Sequence, residues 1–245
     1  MSGARVALVT GASRGLGAVI AQRLGADGWA VAVNYLSDLD GAARVVTTIR
    51  AKGGVAEAFK GDVTDEADVA AMVAEIGSRL GTVEVLVVNA TGPQPEAMVE
   101  DLTWQAHLDQ LAFFVKSPTL LLQASLPGMR ALGRGRVIQI GSDMFERALP
   151  GWSAYTAAKG AQLGLTRVWA RELGPSNITV NLVAPGWIPV ERHAGADTTG
   201  YADEVPLKRT GTPQEIGAAV AFLASDAASF ITGERLTVNG GHTID

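Results

Sequence analysis

A tyrosine and a lysine four positions apart are the side chains best suited to acid–base chemistry. Tyr155 and Lys159 lie at the start of a stretch with helical period, and this spacing places the phenol and the ammonium on one helix face. A tyrosine with a pKa of about 10 is a poor base at neutral pH, but a neighbouring cation favours the phenolate and lowers that pKa. Tyr155 could then exchange a proton with an alcohol oxygen, which the hydroxyl of Ser142 could also hold. The sequence therefore predicts Ser142, Tyr155 and Lys159 as a catalytic trio, with an ordinary surface pair on a helix as the alternative.

A glycine-rich turn between a short apolar run and a helical stretch is the second candidate site. It reads Thr10-Gly11-Ala12-Ser13-Arg14-Gly15-Leu16-Gly17. Glycines allow a sharp turn here and let backbone amides approach a pyrophosphate, which the positive end of the following helix also attracts. The turn predicts a dinucleotide site, although a glycine-rich turn that binds nothing has the same pattern. The residues predicted to contact the dinucleotide are Gly11, Ser13, Arg14, Gly15, Leu16 and Gly17.

The end of the second predicted strand indicates which dinucleotide fits. A free 2′-hydroxyl is usually held by a carboxylate about 20 residues past the glycines, and that carboxylate would repel a 2′-phosphate. Asn34 stands there instead, followed by Tyr35 and Ser37, while Arg14 adds a positive charge. These residues favour NADP(H) over NAD(H), although the two aspartates that follow count against that preference.

Short β-branched runs alternate with helical stretches along the chain. Such alternation predicts βαβ units and a parallel sheet. Several runs are almost entirely apolar, as strands covered by helices on both faces must be. We therefore predict an α/β fold, a doubly wound parallel sheet of about seven strands, in a single domain spanning residues 1–245. The predicted strands are residues 6–10, 30–35, 55–59, 83–89, 136–141, 178–183 and 235–238.

Helix signals fall between the predicted strands. Residues 64–66 open one helix, and Thr212-Pro213-Gln214-Glu215 supplies an N-cap, a first-turn proline and a capping-box acid for another. The connection over residues 186–211 shows no clear pattern. Connections of that length in compact domains are usually lids or binding segments, so we expect a substrate lid there.

Composition excludes several classes of protein. The chain has 245 residues, 47% of them hydrophobic, and no cysteine, which excludes a disordered chain, a disulfide scaffold, an iron–sulfur site and a thiolate zinc site. The three histidines have no metal-ligand spacing, so we predict no metal. A formal charge of −5 with scattered Lys and Arg indicates neither a nucleic-acid nor a membrane partner, and the first apolar run is too short for a signal peptide. We expect a cytoplasmic protein that binds a small molecule.

Further motifs stand in a fixed order along the chain. They are Asp62-Val63, Asn89-Ala90, Ser142, Tyr155 through Lys159, Asn181 through Pro185-Gly186, and Val238-Asn239-Gly240-Gly241. Together with the glycine turn, their order and spacing resemble the short-chain dehydrogenase/reductase family over essentially the whole chain, and most of all its NADPH-dependent 3-oxoacyl-carrier-protein reductases and related ketoreductases. The resemblance implies a Rossmann-type fold and an oxidoreductase that moves a hydride between NADP(H) and a carbonyl or secondary alcohol.

The resemblance also implies roles for single residues. It implies Tyr155 as the acid/base, Ser142 as the group that polarises the carbonyl, and Lys159 as the ligand of the nicotinamide ribose that lowers the tyrosine pKa. The further cofactor contacts that it implies are Asp62, Val63, Asn89, Ala90, Pro185, Gly186 and Ile188.

Three positions depart from the family pattern. Thr91 stands where a glycine usually lets the cofactor approach, and Trp187 where a threonine often binds the carboxamide. Phe114 stands at the position of an asparagine in the proton relay and cannot hold a relay water, unless a slip in register gives that role to Gln110 or Asp109. Two functions stay open: a working reductase, and a low-turnover NADP(H)-binding regulatory or scaffold protein.

The predicted substrate is a carbonyl compound, a β-keto thioester or similar ketone, free or linked to a carrier or coenzyme A. Two tryptophans and a methionine predict an apolar wall suited to an acyl or aromatic group, and Arg192 would meet an anionic ligand. The predicted substrate contacts are Gln94, Met144, Trp152, Trp187 and Arg192.

Two helical stretches, residues 103–132 and 153–173, carry more apolar residues than one buried face requires. In the family that the chain resembles, these elements form a four-helix contact within a tetramer. We therefore expect a homotetramer, with a dimer as the next expectation.

Overall fold

The computed structural model describes residues 5–191, 195 and 197–244, and its central feature is a seven-stranded parallel sheet. The strands are β1 (Val6–Val9), β2 (Ala30–Tyr35), β3 (Val55–Lys60), β4 (Val83–Val88), β5 (Gly135–Ile140), β6 (Ile178–Pro185) and β7 (Arg235–Val238). They pair in the order β3-β2-β1-β4-β5-β6-β7. This confirms the predicted α/β fold, and every strand boundary lies within two residues of its prediction.

Helices connect the strands and cover the sheet. They are α1 (Gly15–Ala26), α2 (Leu39–Ala51), α3 (Glu66–Arg79), α4 (Trp104–Leu111), α5 (Ser117–Leu132), α6 (Met144–Arg147), α7 (Ser153–Leu173), α8 (Thr199–Glu204) and α9 (Pro213–Ala224). Among the described residues, no helix combines the length and the apolar character needed to cross a membrane.

Alternate residues of the strands belong to two apolar cores. In β1, Val6 and Leu8 are buried in the core that includes side chains of α3, α5 and α7, whereas Ala7 and Val9 are buried with α1, α2 and α9. Successive side chains of a strand point to opposite faces of the sheet, so helices on both faces require apolar residues at every position. This arrangement explains why the strand sequences are apolar almost without interruption.

The strand order reverses beside β1, whose two neighbours are β2 and β4. At such a switch point the connections diverge and leave a crevice at the carboxyl ends of the strands. Gly11 follows β1, Asn89 follows β4, Ser142 follows β5 and Gly186 follows β6. The topology therefore brings distant motifs to one edge of the sheet.

The predicted helical stretch over residues 103–132 is divided in the structure. A π-helical turn, Ala112–Lys116, separates α4 from α5. A π turn inserts one residue and changes the direction of the side chains that follow. Phe114, which lies in this turn, is only 3% exposed. Hydrophobic periodicity did not predict the insertion because the surrounding run is apolar on more than one face.

The other helix predictions agree with the structure more closely. α7 has the predicted bounds, and Thr212 and Glu215 form the predicted capping box before α9. The connection over residues 186–211 contains a short helix, α8, which its sequence did not indicate. Tyr201 of α8 is buried, and its hydroxyl accepts a hydrogen bond from the backbone N–H of Trp187 at 2.8 Å.

Candidate active site

A cavity of about 1150 Å³ lies at the carboxyl ends of the strands, and the predicted site residues line it together. Ser142, Tyr155 and Lys159 lie on its wall. So do the predicted cofactor residues Gly11, Ser13, Arg14, Gly15, Leu16, Gly17, Asn34, Tyr35, Ser37, Asp62, Val63, Asn89, Ala90, Pro185, Gly186 and Ile188. Of the predicted substrate contacts, Gln94, Met144, Trp152 and Trp187 line the same cavity, whereas Arg192 falls outside the described residues.

The glycine turn has a backbone shape that favours glycine. Gly11 and Gly15 have φ angles of 59° and 57°, in the left-handed region. A Cβ atom on Gly17 would collide with the carbonyl oxygen of Gly11 and the side-chain amide of Asn89. The N-cap residue of α1 is Arg14, whose side chain makes no capping hydrogen bond. Because the N-cap side chain does not bond to them, the first N–H groups of α1 could bind an anion at the positive end of the helix.

Two asparagines tie the glycine turn to the sheet. Asn34 accepts the N–H of Gly11 at 3.0 Å and donates to the carbonyl oxygen of Gly61 at 3.1 Å, and its side chain is buried. Asn89 donates to the carbonyl oxygen of Thr10 at 2.9 Å, and the Thr10 hydroxyl accepts the backbone N–H of Asn89 at 2.9 Å. The ends of β1, β2 and β4 are therefore fixed to one another around the cavity.

The aspartates beyond β2 differ in position. Asp38 lines the cavity, but its carboxylate caps α2 by accepting the N–H of Gly41 at 2.9 Å. Asp40 lies on the first turn of α2 and lines a separate shallow groove. The part of the cavity beyond β2 is therefore bordered by Tyr35, Ser37 and the end of α2, with Arg14 in the neighbouring turn.

Ser142 and Tyr155 approach the cavity from two elements. The Oγ atom of Ser142 accepts the backbone N–H of Met144 at 3.1 Å, so its own proton is free to point elsewhere. Tyr155 lies in the first turns of α7, and its ring makes edge-to-face contacts with the rings of Trp152 and Phe114, at centroid separations of 5.9 and 5.5 Å. These contacts fix the plane of the phenol.

Lys159 is buried, one turn along α7 from Tyr155. Its Nζ atom donates to the carbonyl oxygen of Ile140 at 2.6 Å and to Oε1 of Gln162 at 3.2 Å. The same atom lies 3.7 Å from the ring centroid of Phe114 and 5.6 Å from that of Tyr155. Burial lowers the pKa of the Lys159 ammonium well below its usual value, because desolvation disfavours the charged form.

Phe114 is the aromatic residue that contacts both members of the Tyr–Lys pair. It lies in the π turn between α4 and α5 and packs against α7. Gln110 is buried elsewhere and donates to the carbonyl oxygen of Pro93, and Asp109 is exposed on α4. Neither of the two polar candidates on α4 takes the place of Phe114.

Several cavity residues were missed by the sequence reasoning. Phe113 packs so closely on Gly92 that a Cβ atom there would collide with its ring, and Arg147 and Glu191 also line the wall. Gln162 was missed as well, although its spacing of three from Lys159 on one helix was a usable signal. The contacts of the phenylalanines had no local signal, since they depend on the π turn.

The acid that follows Ser142 is buried in the cavity wall. Asp143 is 1% exposed and accepts the side-chain N–H of Asn239 at 3.4 Å, and burial raises the pKa of its carboxyl group. His242 packs its ring against that of Tyr201 at 4.8 Å and lies 3.6 Å from the Asp143 carboxylate. The C-terminal segment therefore braces the wall behind Ser142.

Known proteins resemble this chain over nearly its full length. A family model described as Enoyl-(Acyl carrier protein) reductase matches residues 11–243. The 3-oxoacyl-[acyl-carrier-protein] reductase FabG of Staphylococcus epidermidis is 40% identical over 239 residues, which is 96% of this chain and 97% of that protein.

Solved structures give the same picture. A short-chain dehydrogenase/reductase from Serratia marcescens is 36% identical and superimposes with a TM-score of 0.92, covering 99% of both chains. A blue fluorescent protein from a metagenomic library, solved in complex with NADPH, is 37% identical with a TM-score of 0.91 and also covers 99% of both chains.

Proposed function

The chain belongs to the short-chain dehydrogenase/reductase family, and from that premise we propose that it is an NADPH-dependent reductase of a ketone or β-keto thioester. The observation that carries the proposal is the meeting of Ser142, Tyr155 and Lys159 with the glycine turn on one cavity. Intact acid–base groups beside a dinucleotide cradle are hard to explain without a reaction that uses both.

The cradle fits a dinucleotide because its shape depends on missing side chains. A Cβ atom at Gly17 would collide with the carbonyl oxygen of Gly11 and the amide of Asn89, so the turn packs this closely because glycine stands there. The helix N-terminus that follows would hold the pyrophosphate. Asp62 and Val63 would flank the adenine, Asn89 and Ala90 the floor, and Pro185, Gly186 and Ile188 the nicotinamide end. When bound, the cofactor supplies the hydride.

Preference for NADP(H) is supported by the residues that border the cavity beyond β2. Arg14 provides a positive charge and Ser37 a hydroxyl there, while Asp38 has its carboxylate directed to the N-terminus of α2. Asn34 would contribute by fixing the turn, because both ends of its amide already have protein partners. A similar protein solved with NADPH supports the same choice.

The protein's own groups would supply the proton and stabilise the tyrosinate that remains. Tyr155 would give its phenolic proton to the substrate oxygen. Ser142 would donate a hydrogen bond to the same oxygen, since the Oγ lone pair already accepts the N–H of Met144. Lys159 would favour the tyrosinate that forms and would bind the nicotinamide ribose through its third N–H, because two are taken by Ile140 and Gln162.

An apolar substrate is supported by the far wall of the cavity. Trp152, Trp187 and Met144 lie there, and Gln94 adds a polar group near the rim. We place the substrate lid in the connection over residues 186–211, because Trp187 is tied to Tyr201 of α8 within it. A FabG reductase among the relatives supports an acyl substrate linked to a carrier.

The alternative is a low-turnover NADP(H)-binding protein. It is favoured by one observation, the Phe114 ring packed against both Tyr155 and Lys159 where a water relay would lie. In this alternative the cofactor would be held and the proton path blocked.

We also propose a homotetramer. Trp104 is 69% exposed, and Leu108 on α4 and Val168 on α7 are exposed as well. Large apolar side chains on two adjacent helices fit a contact with further subunits. Size-exclusion chromatography with light scattering tests this, and a monomer at micromolar concentration would contradict it.

A substrate panel tests the function. NADPH oxidation is followed at the nicotinamide absorbance with β-keto thioesters, ketones, quinones and an enoyl thioester, using the protein and its Tyr155→Phe variant. The proposal expects turnover of at least one ketone or β-keto thioester that the variant loses. If NADPH binds and no carbonyl compound is reduced, or the variant is as active as the protein, the low-turnover alternative replaces it.

A further inference from the structure

Among the residues that the structure describes, no carboxylate pairs with Lys159. Its donors go to a backbone carbonyl and to a side-chain amide, and its Nζ atom lies 3.7 Å from the centroid of the Phe114 ring. Burial lowers the pKa of Lys159, and the titratable Tyr155 lies beside it among the described residues. A buried ammonium held only by neutral groups depends strongly on each of its acceptors.

Of the two acceptors of Lys159, Ile140 contributes a backbone carbonyl and Gln162 a side-chain amide. The backbone of Gln162 is fixed in turn. It lies three residues after Lys159 on α7 and is 1% exposed. The Thr166 hydroxyl donates to its backbone carbonyl at 3.0 Å, and Gln139 of β5 donates to that hydroxyl at 2.9 Å. The backbone that carries Gln162 is therefore tied to β5 through Thr166, while its side-chain amide oxygen accepts from Nζ.

We propose that Gln162 is a positioning residue that holds the Lys159 ammonium in its active-site orientation, opposite the ring of Phe114. The backbone carbonyl of Ile140 fixes one N–H, Gln162 fixes the second, and the third is left for the cofactor ribose. This role rests on the proposed reductase function for its catalytic consequence, but the contact itself belongs to the protein without cofactor.

The acceptor chemistry predicts opposite results for two variants. Gln162→Leu keeps the size and removes the acceptor, which lowers the Lys159 pKa further. Gln162→Glu keeps the reach and adds a negative charge, which raises it. A merely structural disturbance of α7 would move the pKa in the same direction in both variants.

The matched control is Gln139→Leu. Gln139 is also a fully buried amide, and it touches Thr166 rather than Lys159. Its Oε1 atom has no protein partner, so its replacement by leucine removes a buried polar atom behind the same helix without touching Nζ.

The experiment uses the full chain without cofactor, labelled with lysine carrying 13C at Cε. The chain has few lysines, and Lys159→Met assigns the signal of Lys159. We expect the measured pKa of Lys159 to fall in Gln162→Leu, to rise in Gln162→Glu and to stay the same in Gln139→Leu.

The proposal is wrong if the pKa shifts alike or not at all in the two Gln162 variants, or if it shifts as much in Gln139→Leu. Thermal unfolding checks that each variant is folded, and the glutamate variant keeps the test valid if the leucine variant does not fold.

A second measurement links the contact to turnover. In alcohol oxidation, the rise of kcat/KM with pH reports the ionisation of Tyr155, and weaker support for the ammonium moves that rise to higher pH. We expect this shift and a loss of about tenfold in kcat for Gln162→Leu. An unchanged pH profile beside an active parent protein overturns the catalytic part of the proposal. If the parent protein reduces nothing while the lysine titrations behave as expected, the reductase function fails and the positioning contact stands.

Discussion

The cavity has two sides that are built in different ways. We call the side around Gly11, where the nucleotide is proposed to bind, the nucleotide side, and the side around Tyr155 and Lys159 the catalytic side. On the nucleotide side, Gly11, Asn34 and Asn89 are joined by hydrogen bonds to backbone atoms, and a Cβ atom at Gly17 has no room. On the catalytic side, Tyr155 and Lys159 are surrounded by side chains, with Phe114 against both. Backbone geometry tolerates little change, whereas a wall of side chains can be repacked around the same pair of reacting groups.

The two sides also differ in whether their buried polar groups stabilise the fold or oppose its stability. The buried polar groups of the nucleotide side have partners that hold the fold together, while Lys159 is a basic group whose pKa is lowered by burial. A group that costs stability and serves the reaction is expected at an active site. The predictions below use that contrast.

The largest effect is expected for Lys159→Met. It removes the cation beside Tyr155, so kcat/KM for carbonyl reduction should fall by about 100-fold or more. The free energy of unfolding should rise at neutral pH, because burial has lowered the folded pKa of Lys159 and the charged form is the one that the fold disfavours. Steady-state kinetics and denaturant unfolding measure the two. A variant that loses both stability and activity would show that Lys159 is instead part of the framework.

The next effect belongs to the nucleotide side. Gly17→Ala places a Cβ atom against the carbonyl oxygen of Gly11 and the amide of Asn89, and overpacking of this kind costs about 1–3 kcal/mol. The Kd for NADPH should rise by roughly tenfold to 100-fold, as measured by quenching of nicotinamide fluorescence. Gly77→Ala on α3 is the control, since nothing lies within 4 Å of its Cβ position. Equal affinities in the two variants would contradict a tightly built cradle.

A smaller effect is expected for Arg14, on the selectivity between NADPH and NADH, than for Gly17, on the affinity for NADPH. Arg14→Ala removes the cation that borders the region beyond β2, so the Kd for NADPH should rise about tenfold while that for NADH stays the same. Arg23→Ala, on the same helix but paired with Asp27 at 3.0 Å, should leave both constants unchanged. A parallel loss of both cofactors in Arg14→Ala would mean that the residue supports the turn and does not read the phosphate.

Most of the fold and much of the nucleotide side could be predicted from the sequence. β2 has the predicted bounds, because it is covered on both faces and its run is largely apolar, and the edge strand β7 also has its predicted bounds. The residues of the glycine turn were also found, because strand, turn and helix follow one another directly in the chain. Here the order of the elements along the chain is enough to place the turn between β1 and α1.

The catalytic side could be predicted only in part. Tyr155 and Lys159 share a helix and were found by their spacing, whereas the contact of Phe114 with both depends on the π turn at Ala112–Lys116 and on packing between distant elements. Asn34 was expected at the cofactor, but its amide is used by Gly11 and Gly61. A residue type at a position does not determine which of its neighbours takes its hydrogen bonds.

Replacement of Phe114 tests how far the catalytic side can be repacked. Phe114→Asn should make room for water between Tyr155 and Lys159 and raise kcat by roughly threefold to tenfold, if proton supply limits turnover. The same change removes a buried ring, so the free energy of unfolding should fall by about 3 kcal/mol. Phe114→Leu, apolar and without an amide, should keep kcat near that of the parent protein. A fall in kcat for the asparagine variant would show that the ring itself orients the phenol.

The smallest effect is expected outside both sides, at the start of α9. Glu215 accepts the N–H of Thr212 at 2.7 Å and pairs with Arg209 at 2.6 Å, and these contacts lower the pKa of Glu215 to about 2. A lowered folded pKa contributes stability that is present above the usual pKa of 4.5 and is lost as the pH falls toward about 2. Because the carboxylate is 39% exposed, solvent screening reduces this contribution to about 0.5–1 kcal/mol.

Glu215→Gln should therefore lower the free energy of unfolding slightly at pH 7 and make it less dependent on pH between 4.5 and about 2. Denaturant unfolding at several pH values measures this, with Glu172→Gln, an exposed carboxylate of α7, as the control. NADPH affinity should stay unchanged, because Glu215 caps α9 and does not line the cavity. A higher Kd for NADPH in Glu215→Gln would mean that the segment before α9, held through Arg209, affects the cofactor side of the cavity.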